Sequence, residues 1–271
     1  MRMRFSTWCR SAVSVSILLT GVVAWAQTPT VEWKNDPQMQ GWANTYDVLY
    51  DVDWKSGFGA GTGVQANPGD LIVVDDPAVA GRKAVQASIR LSEDFSKVAN
   101  GAPRAELLLP EPVRFAQGHD YLIRWSTYLP SDFAFDSKQL LIITQIHQDL
   151  VSGSPTIALT LLGTQYAISE RGGVNTKQVS GGEWLCCADV DRGKWIYWTL
   201  RYIPDETGQH ALTELYKNGI SVFATTGAAN AYPNVQNAYL KIGLYKPGWK
   251  SQPSDVTQST VLYGPVNISQ R

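Results

Sequence analysis

The sequence predicts an all-β chain folded as a two-sheet jelly-roll sandwich with one concave groove. Three observations predict it. Short stretches that alternate in polarity or run apolar recur along most of the chain, and Gly, Pro, Asn and Asp clusters separate them. Those stretches are rich in β-branched and aromatic residues, with 10 Trp and 12 Tyr among 271 residues, and strong helix signals are scarce. Many short strands with turn residues between them build a sandwich or barrel.

Residues 1–26 stand apart from this pattern. A basic start, MRMR, leads into an apolar stretch and then Ala24-Trp25-Ala26, the small-x-small signature of a cleavable secretory signal peptide, with cleavage expected between Ala26 and Gln27. The apolar stretch falls short of the roughly 20 residues that a membrane span needs. Cys9 precedes it rather than marking the cleavage point, so no lipid anchor is expected. Residues 27–271 then form a single exported β-domain, secreted or periplasmic, with no linker or repeat to divide it.

The strands expected in order are DLIVVDD (70–76), KAVQASIRL (83–91), RAELLL (104–109), DYLIRWSTYL (120–129), KQLLIITQIH (138–147), TIALTLL (156–162), KWIYWTLRYI (194–203), TELYKNGISVF (213–223) and AYLKIGLY (238–245). Asn218-Gly219 inside the eighth is a hairpin turn, because both residues tolerate positive φ. GFGAGTGVQ (57–65) and SERGGVNTKQVSGGEW (169–184) are Gly-rich and read as loops that could close over a ligand, bringing Arg171 and Lys177 to it.

Charge narrows the partners. Without residues 1–26, which carry Arg2, Arg4 and Arg10 and no acid, 20 basic side chains face 24 acidic ones, a net charge of −4. No basic excess marks a nucleic-acid binder. Beyond the leader only Cys186 and Cys187 remain. Export permits a disulfide, and a pair of free thiols or a redox-sensitive turn are the other readings. No Cys/His spacing offers a metal site.

Chemistry enters through strand parity, since residues two apart share a face. Gln145 and His147 of TQIHQ lie together, opposite Ile146. Arg104 and Glu106 pair in the same way, opposite Ala105 and Leu107. In LKIGLYK, Lys241, Gly243 and Tyr245 share one face, and Leu240, Ile242 and Leu244 form the apolar one. If the polar faces meet on one sheet, Arg and Gln supply donors, His can take a proton, and Tyr can donate or accept one. That set suits removal of a proton α to a carboxylate, as at C5 of a uronic acid, with elimination of the C4 oxygen. Taken singly each residue also has a structural reading: Arg104–Glu106 as a surface ion pair, His147 as a satisfied sheet histidine, Tyr245 as packing.

The ordered trio RAEL (104–107), QIH (145–147) and KIGLY (241–245) resembles the β-jelly-roll, concanavalin A-like polysaccharide lyases of the glucuronan lyase and heparin lyase I group, with family 7 alginate lyases as relatives. The resemblance implies that Arg104 and Gln145 bind and neutralise a uronate carboxyl group, that His147 and Tyr245 handle the protons, and that Glu106 orients Arg104; strand parity adds Lys241 as a cation on the Tyr245 face, expected at the substrate. The resemblance leaves open anti elimination, with His147 as base and Tyr245 as acid, and syn elimination by one Tyr. It implies a monomer acting on an acidic polysaccharide, away from nucleic acid and membrane. No cofactor is expected for catalysis. A structural Ca²⁺ is part of the resemblance, but no motif such as an EF-hand loop locates one.

The sequence departs from the alginate-lyase form, which is aromatic before the lysine and has Gln two residues after the tyrosine; here Leu240 and Pro247 stand there. The charge of −4 disfavours a heavily sulfated polymer, so an unsulfated, glucuronate-containing substrate is expected. Two rivals use the same fold. A carbohydrate-binding module needs no His and Tyr beside an Arg/Gln pair. A glycoside hydrolase needs two flanking carboxylates, and the E-x-D-x-x-E strand typical of sandwich glucanases is absent.

Overall fold

The computed structural model describes residues 45–271 except Pro112, 150–152 and 176–177. The expected signal peptide therefore lies outside the described residues, as does Lys177. Sixteen strands follow in chain order: β1 Asp47–Val52, β2 Gly63–Gln65, β3 Leu71–Asp75, β4 Lys83–Arg90, β5 Arg104–Leu108, β6 Tyr121–Tyr128, β7 Leu141–His147, β8 Ile157–Leu162, β9 Gln165–Glu170, β10 Gly181–Leu185, β11 Trp195–Ile203, β12 Leu212–Lys217, β13 Ile220–Thr226, β14 Tyr239–Tyr245, β15 Gln258–Tyr263 and β16 Val266–Gln270.

These strands form two antiparallel sheets, the jelly-roll sandwich that the sequence predicts. One runs β13-β12-β11-β6-β15-β4-β3, with β16 sharing the β6 edge and β1 pairing with β16. The other runs β10-β9-β8-β7-β14-β5-β2. Asn218 and Gly219 both hold positive φ, 51° and 78°, and turn β12 tightly into β13, so the stretch 213–223 is a hairpin of two strands.

Alternation fills the space between the sheets. Ala105 and Leu107 of β5, Ile143 and Ile146 of β7, and Leu240, Ile242 and Leu244 of β14 share one buried cluster with Ile123 and Trp125 of β6 and Trp198, Leu200 and Tyr202 of β11. Burying side chains of this size is worth about 1.5–3 kcal/mol each. That gain fixes the register of the seven-stranded sheet, because a slip of one residue would turn its apolar face outward.

Six strands were not expected from the sequence: β1, β2, β9, β10, β15 and β16. Two of them correct the loop reading of the Gly-rich stretches. Residues 63–65 pair with β5, and 181–185 pair with β9. Their glycines lower local strand preference, but each lies against a neighbour whose backbone groups need partners, so pairing outweighs propensity.

Candidate active site

β14 runs between β5 and β7, and its register sets the site. Tyr245 pairs with Arg104, Gly243 with Glu106, Lys241 with Gln145, and Tyr239 with His147. Directly paired residues share a face, so Arg104, Glu106, Gln145, His147, Lys241 and Tyr245 all rise from the outer face of the seven-stranded sheet. Their sequence neighbours Ala105, Ile146, Leu240 and Leu244 point into the core.

A bulge shapes this surface. The β14–β7 register shifts between Ile242 and Tyr245, and the β7–β8 register shifts between Ile142 and Thr144. Gly243 lies in the first shift with φ 134°, and a Cβ there would stand 2.1 Å from the Ala105 carbonyl oxygen. Only glycine lets β5 come this close. From the opposite sheet the buried Tyr263 hydroxyl reaches both irregular strands, 2.8 Å from the Ile143 oxygen and 2.9 Å from the Gly243 oxygen. One O–H is shared between the two carbonyls, which ties the shift in β7 to the shift in β14.

Glu106 is the hub of the outer face. It is buried. It accepts hydrogen bonds from Arg104 Nη1 at 3.2 Å and from Gln145 Nε2, with Lys241 Nζ at 3.7 Å. Gln65 Oε1 of β2 accepts from Arg104 Nη1 at 3.2 Å and from Lys241 Nζ at 2.9 Å. Two cations thus surround one carboxylate, leaving one positive charge unbalanced. Because a carboxylate only accepts, it fixes the Gln145 amide with nitrogen toward Glu106. Arg104 Nε and Gln145 Oε1 remain buried with no hydrogen-bond partner among the described residues. A donor and an acceptor in that state cost free energy until a ligand meets them.

His147 stands half-buried at one end of this cluster. Its Nδ1 lies 2.9 Å from the Gln148 carbonyl oxygen. Since a carbonyl accepts, the proton of the neutral ring sits on Nδ1 and the lone pair on Nε2. Burial lowers the His147 pKa, and the cations of Lys241 and Arg104 lower it further against the opposing effect of the Gln148 carbonyl. The imidazole is therefore neutral near pH 7, the form a general base needs. Burial likewise lowers the Lys241 pKa, with Glu106 opposing and Arg104 reinforcing.

Tyr245 is half-buried at the other end, with the Arg104 guanidinium 4.0 Å from its ring centroid. The register separates it from His147, which faces Tyr239 across the ladder with ring centroids 5.8 Å apart. Tyr239 and Gln65 were missed in the sequence. Parity with Lys241 marks Tyr239 as a resident of the same face, and V-Q within GVQ carried the only hint of Gln65. Tyr239 also has the Lys241 ammonium 5.8 Å and the Arg114 guanidinium 5.6 Å from its ring centroid.

Arg171 follows β9 and does not join this cluster; its Nη1 donates to Ser169 Oγ at 3.1 Å. Cys186 and Cys187 form a disulfide just beyond β10. Among the described residues no three Asp, Glu, His or Cys side chains gather where they could hold a metal ion.

A polysaccharide lyase family model matches residues 39–263. Among solved structures, the endo-β-1,4-glucuronan lyase of the fungus Trichoderma reesei superposes with a TM-score of 0.64 at 14% identity, over 78% of this chain and 92% of that one. The family 7 alginate lyase AlgAT5 superposes with a TM-score of 0.52 at 13% identity, over 78% of this chain and 94% of that one. At these identities the likeness is one of fold. No curated protein matches in sequence.

Proposed function

Because the chain belongs to the polysaccharide lyase family, we propose that it cleaves an unsulfated, glucuronate-containing polysaccharide by β-elimination, after export through its leader to the periplasm or the medium. The observation that carries this reading is the Arg104–Glu106–Lys241–Gln145 cluster, one positive charge in excess, beside a neutral histidine whose Nε2 lone pair is free.

The uronate carboxylate docks on the excess charge, accepting from the unused N–H of Arg104 Nε and from the second N–H of Gln145 Nε2, whose first goes to Glu106. Neutralising that carboxylate lowers the cost of charge developing at C5 and in the carboxyl group. A base takes the C5 proton as the C5–H bond breaks: Tyr245 where H5 and O4 stand syn, as in glucuronate, and His147 Nε2 where they stand anti. The C5–H electrons form the C4–C5 double bond, the C4–O bond breaks, and Tyr245 delivers a proton to the departing oxygen. No water is consumed and no cofactor is required for the proton transfers. Glu106 touches no substrate in this scheme; it positions Arg104, Lys241 and Gln145. A glucuronate polymer is favoured over a sulfated one because Arg104 and Lys241 are both engaged with Glu106 and Gln65, and the fold of the glucuronan lyase neighbour covers most of both chains.

The test is incubation with a panel of polyuronates while following the ultraviolet absorbance of unsaturated uronate ends. Absorbance rising fastest on glucuronan is expected. New reducing ends without absorbance would identify a hydrolase, and retention on the polymer with neither signal would identify a binding module.

A further inference from the structure

Beyond the central cluster the same sheet continues for three more strands. Pairing carries one row of residues straight across it: Arg104, Tyr245, Ile142, Thr160, Ala167 and Trp184. Tyr166 and Ile168, on either side of Ala167, are in the core, so the row lies on the outer face. A parallel row runs Lys241, Gln145, Ala158, Ser169 and Gly182. From β8 to β10 both rows consist of Ala, Thr, Ser and Gly until they reach Trp184, so the floor is low.

Trp184 is 54% exposed, and among the described residues no other aromatic falls in the exposed class. With the exposed Val179 beside it, Trp184 forms a small apolar patch at the end of the site, the kind of surface that marks a ligand-binding groove. Beside it lies a depression of ≈ 500 Å³ bordered by Ala167, Ser169, Val179, Gly182, Glu183 and Trp184. The hydrogen bond from Arg171 Nη1 ties a cation to the Ser169 hydroxyl of that floor. Four strand spacings separate β14 from β10, about 19 Å at roughly 4.8 Å each, a span of several pyranose rings.

We propose that β9 and β10 form a distal subsite in which one sugar ring of the acidic polysaccharide stacks on Trp184, its carboxylate paired with Arg171. The ligand class rests on the lyase reading above. The flat apolar face of a pyranose matches the indole, the guanidinium matches the acid, and the low floor lets the chain run on from Tyr245. Polymer length, rather than the reacting uronate alone, then contributes to binding.

Trp184→Ala should reduce about tenfold the ratio of kcat/KM on long glucuronan to kcat/KM on a uronate trimer, with Trp184→Tyr restoring most of it. An unchanged ratio would overturn the subsite, because damage to the fold or to the central cluster lowers both terms together. A second arm needs no turnover: affinity electrophoresis of Tyr245→Phe against Tyr245→Phe/Trp184→Ala in gels containing polyglucuronate. Weaker retardation of the double variant upholds the subsite even if the chain proves not to be a lyase. Equal retardation overturns the subsite and leaves the lyase reading standing. No retardation of either protein overturns both.

Discussion

The Arg104 guanidinium lies 4.0 Å from the centroid of the Tyr245 ring, across one rung of the β5–β14 ladder. The same guanidinium donates to Glu106 and Gln65, so one planar group joins the carboxylate pocket to the tyrosine. Lysine keeps the charge but has neither the plane nor the fork. Arg104→Lys should lower kcat/KM by about a hundredfold or more while leaving the thermal midpoint nearly in place. Activity within a few fold of the parent would show that only charge is needed there.

Tyr245→Phe should lower kcat by at least about a hundredfold on any uronate, and His147→Ala by as much where H5 and O4 stand anti, the scale for losing a general acid or base. Stereochemically defined substrates separate their roles. In anti elimination both variants fail; in syn elimination by Tyr245 alone, His147→Ala retains most of its turnover. Near-normal rates in both variants would remove the assignment.

The pH profile follows from the same geometry. His147 is held below its ordinary value of about 6.5 by burial and then by the cations of Lys241 and Arg104. The neutral base is therefore present above that lowered value and lost as pH falls through it, so the acid limb of kcat/KM lies below about 6.5. Lys241→Met removes one cation, raises the His147 pKa and should move the limb to higher pH. A limb that stays in place would mean that another group sets it.

The tyrosine beneath the sheet gives a separate test. Tyr263→Phe removes the hydroxyl shared by the Ile143 and Gly243 carbonyls and should cost about 1–3 kcal/mol in denaturant unfolding. Gly243→Ala should cost more, since its Cβ meets backbone rather than a side chain that can turn away. A Tyr263→Phe protein as stable as the parent would show that the bulges hold themselves.

Away from the candidate site, the buried Lys246 ammonium lies 2.7 Å from Asp136. Burial opposes ionisation of Asp136, but hydrogen bonds from Lys246, Ser254 and the Lys138 and Asp255 backbones outweigh it and hold the carboxyl well below the usual range. A depressed carboxylate adds stability that is complete above its unfolded value of about 3.9 and fades as pH falls toward the folded one. Lys246→Ala should destabilise by about 3–5 kcal/mol at neutral pH, with the deficit shrinking in acid. Equal deficits at pH 7 and pH 3 would contradict this coupling.

Parity is a property of the extended backbone, so the sequence alone assigned Arg104 with Glu106, Gln145 with His147 and Lys241 with Tyr245 to shared faces, opposite Leu107, Ile146 and Leu244. Apolar alternation likewise announced nine stretches that became strands, and Asn218-Gly219 its hairpin, because these preferences act within a few residues. Tertiary structure decided which strands are neighbours and in what register. It put Tyr239 rather than Tyr245 against His147, drew Gln65 from a Gly-rich stretch into the charge cluster, set Tyr263 beneath two bulges from the far sheet, and aligned Trp184 with Tyr245 across four strands. Each of these depends on pairing between residues far apart in the chain, whose free energy comes from burying a whole sheet face at once, and no local pattern encodes it.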